Sequence, residues 1–259
     1  MITKILYYIL ILPISLLPYS LLYFFSDFLF LIMYRLIGYR KIVVFTNLKN
    51  SFSIKSDEEL NAIMVNFFSH LCDIIMESVK GFTISEKELR KRLVIKNPEL
   101  SNYFADKGQS IIFVGGHYNN WELCAQAFAM YSNHECIGIY KPLSNKFIND
   151  KIYTSRSKFG LNLVSMKQTK KSFEDSGKPK AIVFGSDQNP SNPKRAHWVD
   201  FLNQDTAVLF GVEKYSKEYN FPVVFVSISK VKRGYYQVEY SLITDKPTEQ
   251  PHGKITEDF

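Results

Sequence analysis

The chain has 259 residues, 46% of them hydrophobic and 15% aromatic, and a net charge of +7. That length and apolar content suffice for one large folded domain and exclude a disordered chain. Cys72, Cys124 and Cys136 are odd in number and widely spaced, with no metal or redox pairing, which suits a reducing compartment, and the surplus positive charge points to nucleic acid, anionic lipid or an acidic protein without choosing among them.

From Ile5 to Ile37 the sequence is almost continuously apolar, broken by Pro13 and Pro18. This predicts a short helical piece to about Leu12 and a longer helix from about Tyr19, near the roughly 20 residues that cross a bilayer. The run is too long for a signal peptide and lacks a small-residue cleavage site. Asp27 in mid-helix is costly in hydrocarbon, so a tilted helix lying in the interface is the alternative to a clean span, and a buried core hairpin is a third reading. Arg35, Arg40 and Lys41 lie at the C-terminal end of the helix, while Lys4 stands almost alone at the other. That bias places the rest of the chain in the cytoplasm.

Residues 41–52 read as a link from a membrane anchor (1–45) to the body (46–259). Ser56-Asp-Glu-Glu59 is a capping box opening an amphipathic helix to about Lys80, on which His70 reads as a structural histidine; Ser85-Glu-Lys-Glu88 opens a shorter helix the same way. Residues 92–95 suggest an edge strand.

Ser110-Ile-Ile-Phe-Val-Gly-Gly-His-Tyr-Asn-Asn-Trp-Glu122 organises the chain. A β-branched apolar run stops at Gly115-Gly116, where the backbone is free to turn; His117 follows, and Asn119 and Asn120 offer N-caps for a helix from Trp121. His117 and Glu122 would lie roughly 140° apart on one helix, so they are expected to meet with His117 on the turn and Glu122 in the first helical turn. A carboxylate beside an imidazole fixes its tautomer and makes a general base for a hydroxyl. No serine or cysteine here is placed as nucleophile, so the nucleophile is expected to be a substrate hydroxyl. The competing reading makes His117 a capping residue and Glu122 a solvated first-turn acid. Zinc is weaker, since no H-E-x-x-H or C-x-x-C completes a site.

Beyond the motif, residues 136–140 read as a strand, 145–159 as a helix closed by Gly160, and 163–164 as a strand. Ala181-Ile-Val-Phe-Gly-Ser-Asp-Gln188 then repeats the strand-then-polar pattern of the motif. Residues 189–195 form a proline-rich, lid-like loop and 196–201 a short strand. Thr206 is expected to cap a helix to about Tyr219, and residues 222–229 and 235–240 to form late strands joined by a Lys-Arg-Gly turn. Strands alternating with helices predict an α/β fold: a central mixed sheet flanked by helices, with the hydrophobic anchoring helix at the N-terminus. Between Lys141 and Arg195 stand twelve basic and four acidic residues, a solvated face or a binding face beside the motif. Nucleic acid is not expected, since neither aromatic interleaving nor a helix-turn-helix accompanies the charge.

Gly-Gly-His-Tyr-Asn-Asn-Trp-Glu resembles the H-x-x-x-x-[DE] block of glycerolipid and lysophospholipid acyltransferases. Its glutamate variant, with Tyr140-Lys-Pro-Leu-Ser-Asn145, Arg156 and Asp187-Gln188, is similar to the late acyltransferases of bacterial lipid A biosynthesis (the lauroyl/myristoyl transferase group), over the whole chain. The resemblance implies a membrane acyltransferase without cofactor or metal, at the cytoplasmic side of the inner membrane, with His117 and Glu122 catalytic. It implies that Arg156, Lys141, Asn145, Asp187, Gln188 and Asn120 hold substrate, with Arg156 at a phosphate or at the forming oxyanion. Lysine at 141, where arginine is commoner, keeps the charge and loses the bidentate fork. The implied partners are acyl carrier protein or acyl-CoA as donor and an amphiphilic lipid as acceptor. The alternatives are a non-catalytic protein binding anionic lipid and an acyl thioesterase. Residues 256–259 look like the first turn of a helix that the family continues, so a shortened chain is also expected.

Overall fold

The structure, a computed structural model, describes residues 2–174, 176–190, 192–193 and 196–259. Contacts divide the chain into two compact units, one of residues 2–4, 84–197 and 207–259, the other of residues 5–83 and 198–206.

The first unit is an α/β layer built on seven strands: β1 (Leu93–Ile95), β2 (Ile111–Gly115), β3 (Glu135–Tyr140), β4 (Asn162–Ser165), β5 (Lys180–Gly185), β8 (Val223–Lys232) and β9 (Tyr235–Thr244). Their order is β1-β9-β8-β2-β5-β3-β4. Only β8 and β9 pair antiparallel, so the sheet is mixed, as the alternation of strands and helices predicts. β2, β3, β4, β5 and β8 run parallel and end at one common edge. β2 is a continuous apolar run because both its faces are covered. Ile111 and Phe113 face a cluster with Leu123 and Phe128, while Ile112 and Val114 face another with Val212 and Ile255.

Helices of this unit are Glu86–Arg92, Glu99–Asp106, Trp121–Ala127, Lys146–Ser157, Gly211–Tyr219 and Lys254–Asp258. The fully buried Glu213 carboxylate accepts hydrogen bonds from the backbone N–H groups of Gly253 (2.7 Å) and Thr256 (3.1 Å), from the Thr256 hydroxyl (3.0 Å) and from Lys217 Nζ (2.8 Å). It thereby fastens the last helix to the helix Gly211–Tyr219.

The second unit takes up the helix Ile2–Leu16 from residue 5, then Tyr19–Ile37, Lys41–Ser51 and the long Asp57–Gly81. The first runs four residues past the expected Leu12. A π-helical stretch over Tyr7–Ile11 leaves Pro13 at the start of the next α-turn, where its missing N–H costs least. Tyr19–Ile37 and Asp57–Gly81 are both long and apolar enough to cross a membrane. The Ser56–Glu59 capping box closes as predicted. Polar groups meet between these helices: Ser26 Oγ donates to Asp73 at 2.7 Å and the Tyr23 hydroxyl to Glu77 at 2.9 Å. Lys80 Nζ donates to the carbonyls of Ser15 (2.9 Å) and Leu17 (2.8 Å), a cation on helix-end oxygens.

Three elements extend or change what the sequence predicts. The link over residues 41–51 is helical, and Glu99–Asp106 is a helix that the pattern does not announce. The helix expected from Thr206 begins at Gly211, because residues 205–208 are strand β7 paired with β6 (His197–Asp200). The pairing is set by a two-residue turn in which Leu202 and Asn203 both take positive φ (53° and 60°), the geometry that matches strand twist. The lid-like loop at 189–195 lies partly outside the described residues.

Candidate active site

β2 and β5 are neighbours in register, with Gly115 opposite Gly185. Two residues beyond that pair stand His117 on one loop and Asp187 on the other. Asp187 Oδ2 accepts the His117 backbone N–H at 2.6 Å, and Oδ1 faces His117 Nδ1 at 2.7 Å. Two glycines make room for this. A Cβ on Gly116 would stand 3.2 Å from the Asp187 carboxylate, and one on Gly185 would stand 3.2 Å from His117 Cε1.

The expected contact between His117 and Glu122 is not made. Asn119 takes a left-handed turn (φ 51°) and its side chain donates to the Ile228 carbonyl at 2.7 Å. The helix after it carries Glu122 towards the helix Lys146–Ser157. There Arg156 Nε donates to Glu122 Oε2 at 2.9 Å and Arg156 Nη2 to Oε1, a bidentate pair. Trp121 Nε1 also donates to Glu122 Oε1 at 3.2 Å, and its ring meets the His117 ring edge-on at 5.3 Å. The site therefore holds two carboxylate-bound side chains, His117 on Asp187 and Arg156 on Glu122, where the sequence suggests one.

These neighbours set the charges. The hydrogen bond that His117 donates to Asp187 raises the His117 pKa above its ordinary value against the effect of burial, while Arg156 lowers it and Glu122 adds the weakest lift. Burial pushes the Asp187 carboxyl up, but the His117 ring and backbone N–H outweigh it and hold it below the carboxylate range. Burial works against the Arg156 cation, and the bonds to Glu122 more than restore it.

His117 and Arg156 both face a cavity of about 150 Å³ whose walls are otherwise almost wholly apolar, among them Phe128, Ile139, Leu161, Leu163 and Val226. With Nδ1 taken by Asp187, the other ring nitrogen of His117, Nε2, is met by the Gln188 amide, whose Nε2 lies 3.5 Å from it.

The other expected site residues fall differently. Asn120 is buried and caps its helix, accepting from the Leu123 N–H at 2.9 Å. Asn145 caps the helix Lys146–Ser157 through Ile148 N–H (3.2 Å) and donates to Thr3 Oγ1 at 3.1 Å. Lys141 is exposed just beyond β3 and is not among the cavity's lining. Among the described residues no three His, Cys, Asp or Glu side chains converge as a metal site. The three cysteines are free and buried. The repeated strand-then-polar pattern, Val-Gly-Gly-His117 and Phe-Gly-Ser-Asp187 at the ends of two strands, is the sequence signal for this pairing.

A family model described as bacterial lipid A biosynthesis acyltransferase matches residues 1–258. No curated protein matches the chain.

Proposed function

The chain belongs to the bacterial lipid A biosynthesis acyltransferase family, and on that premise we propose that it moves a fatty acyl chain from a thioester donor to a hydroxyl of a lipid A precursor or related amphiphilic lipid. The observation that carries this reading is an apolar cavity with an imidazole and a guanidinium on its wall. The cavity suits an alkyl chain, and the two polar side chains suit the acyl carbon at its end.

In the proposed reaction His117 Nε2 takes the proton of the acceptor hydroxyl, and Asp187 on Nδ1 fixes the tautomer and stabilises the imidazolium. The hydroxyl oxygen attacks the thioester carbonyl, and the oxyanion is met by Arg156 together with backbone N–H groups near Gly116. Collapse breaks the carbon–sulfur bond, and the departing thiolate takes the proton from His117. Glu122 keeps Arg156 aimed at the cavity. Gln188, Lys141 and Asn145 are proposed to contact the donor or acceptor outside it.

Acyl carrier protein, or coenzyme A, is the proposed donor carrier; the acidic carrier suits the basic stretch between Lys141 and Arg195. The helix Tyr19–Ile37 is the proposed inner-membrane anchor within residues 1–45, with 46–259 as the catalytic part on the cytoplasmic side.

One observation favours a second reading. The His117 side chain is 37% exposed, open enough for water to take the acceptor's place and yield a thioesterase. Purified protein given labelled acyl carrier protein and a lipid A precursor distinguishes these. Acyl-lipid product whose mass rises by one acyl group supports transfer. Free fatty acid alone supports hydrolysis, and neither product leaves a lipid-binding protein.

A further inference from the structure

The loops at the carboxyl edge of the sheet carry side chains that the chemistry does not use. Tyr118 after β2, Leu143 after β3 and Met166 after β4 are 70%, 48% and 51% exposed, and none of them lines the cavity. Exposed Lys141, Lys146 and Lys167 stand in the same loops. The opposite edge differs. Among the described residues, the segments leading into the same parallel strands (107–110, 132–134, 160–161, 176–179 and 220–222) expose no large apolar side chain. Three bulky apolar groups from three separate loops, standing among lysines at one edge, are what the headgroup zone of a bilayer accepts. An acidic protein partner would account for the lysines and leave the apolar groups in water.

A second observation marks the same edge. Residues 2–4, where the apolar N-terminal run begins, are bound here: Asn145 Nδ2 donates to Thr3 Oγ1 at 3.1 Å, and Lys4 Nζ lies 5.8 Å from the Phe147 ring centre. Ile2 beside them is 74% exposed.

We propose that this rim is a membrane-docking surface, in which Tyr118, Leu143 and Met166 enter the interface of an anionic bilayer while Lys141, Lys146 and Lys167 meet its headgroups. The cavity mouth then faces the lipid from which an acceptor is drawn. The proposal concerns the surface and does not require the acyl-transfer chemistry.

The buried cysteines permit a selective test. Tyr118→Cys, Leu143→Cys and Met166→Cys variants of the full chain are labelled with an environment-sensitive fluorophore and reconstituted into vesicles of phosphatidylglycerol mixed with phosphatidylcholine brominated near the headgroup. Tyr103→Cys and Leu242→Cys, exposed but away from the rim, serve as controls. The rim labels are expected to shift to the blue and to lose about half or more of their emission, and the controls to do neither. The effect should weaken in phosphatidylcholine alone, or at 1 M salt where screening shrinks to about 3 Å. Rim labels that stay in water overturn the proposal, as do controls quenched equally, quenching indifferent to lipid charge and salt, or a blue shift appearing only on adding acidic carrier protein.

A functional arm separates this from the enzyme reading. Leu143→Glu with Met166→Glu should leave transfer to detergent-dispersed acceptor unchanged and slow transfer to vesicle-embedded acceptor about tenfold, the effect of roughly 1.4 kcal/mol of docking energy. Equal rates in vesicles overturn docking. Absence of transfer by the unmodified chain in both media would sink the chemistry and leave the fluorescence result to stand alone.

Discussion

The two sides of the cavity mouth use carboxylates for opposite ends. On the loop side, Asp187 holds a histidine, a partner that gains and loses a proton near neutral pH. On the helix side, Glu122 holds an arginine, whose charge does not change in the accessible range. One pair can therefore store the proton of a reaction, and the other can only hold a fixed positive charge in place. A short motif containing both His117 and Glu122 conceals this division, because proximity in sequence here does not mean contact.

The largest test of the contrast is His117→Ala. Positioned acid–base catalysis supplies about 10²–10⁴-fold, so single-turnover transfer should fall by about that factor while thermal melting stays near its original midpoint. Asp187→Asn should cost about 10²-fold, and combining it with His117→Ala should add little, because the two act as a unit. The pH profile sharpens the point. His117 must be neutral to accept a proton and its pKa is raised, so the rate should climb with pH through a value above 6.5. Asp187→Asn removes the largest raising influence and should move that limb to lower pH. A limb that stays in place would break the assignment of Asp187.

Glu122→Gln should behave otherwise. It leaves a largely buried guanidinium without its counter-charge, costing about 1–2 kcal/mol of stability and about tenfold in rate. The acid limb should barely move, since Glu122 is the weakest influence on His117. A shift as large as that of Asp187→Asn would restore Glu122 as the histidine's partner. The smallest effect is expected from Gly185→Ala. Its new methyl would press on His117 Cε1 at 3.2 Å, displacing the ring by tenths of an ångström and slowing transfer about threefold without lowering the melting point measurably.

Much of this was legible from residue order. The apolar run at 111–114, the glycine pair and the asparagine cap describe β2 and the helix after it closely, because each is a local rule of backbone or burial. The capping box at Ser56 and the N-cap at Ser85 mark their helices for the same reason. The pairing of His117 with Asp187 is not local, since seventy residues separate them. It follows from β2 and β5 being neighbours in register, which the repeated strand-then-polar pattern hints at and chain order alone does not fix. Likewise Leu202 at positive φ defies its own preference, so the β6–β7 turn was hidden behind an apparent helix cap at Thr206.

Glu213 has a consequence for how the molecule breathes. Burial presses its pKa upward, but the bonds from Lys217, Gly253 and Thr256 prevail and keep it below the ordinary carboxylate value. A group so shifted contributes stability above about pH 4.5, a contribution lost as the pH falls through its lowered value. At neutral pH the amide protons of Gly253 and Thr256 should accordingly exchange with solvent as slowly as those of the central strands, by opening with the core rather than by fraying. In acid the same protons should be the first to exchange, peeling the last turn away while the sheet remains closed.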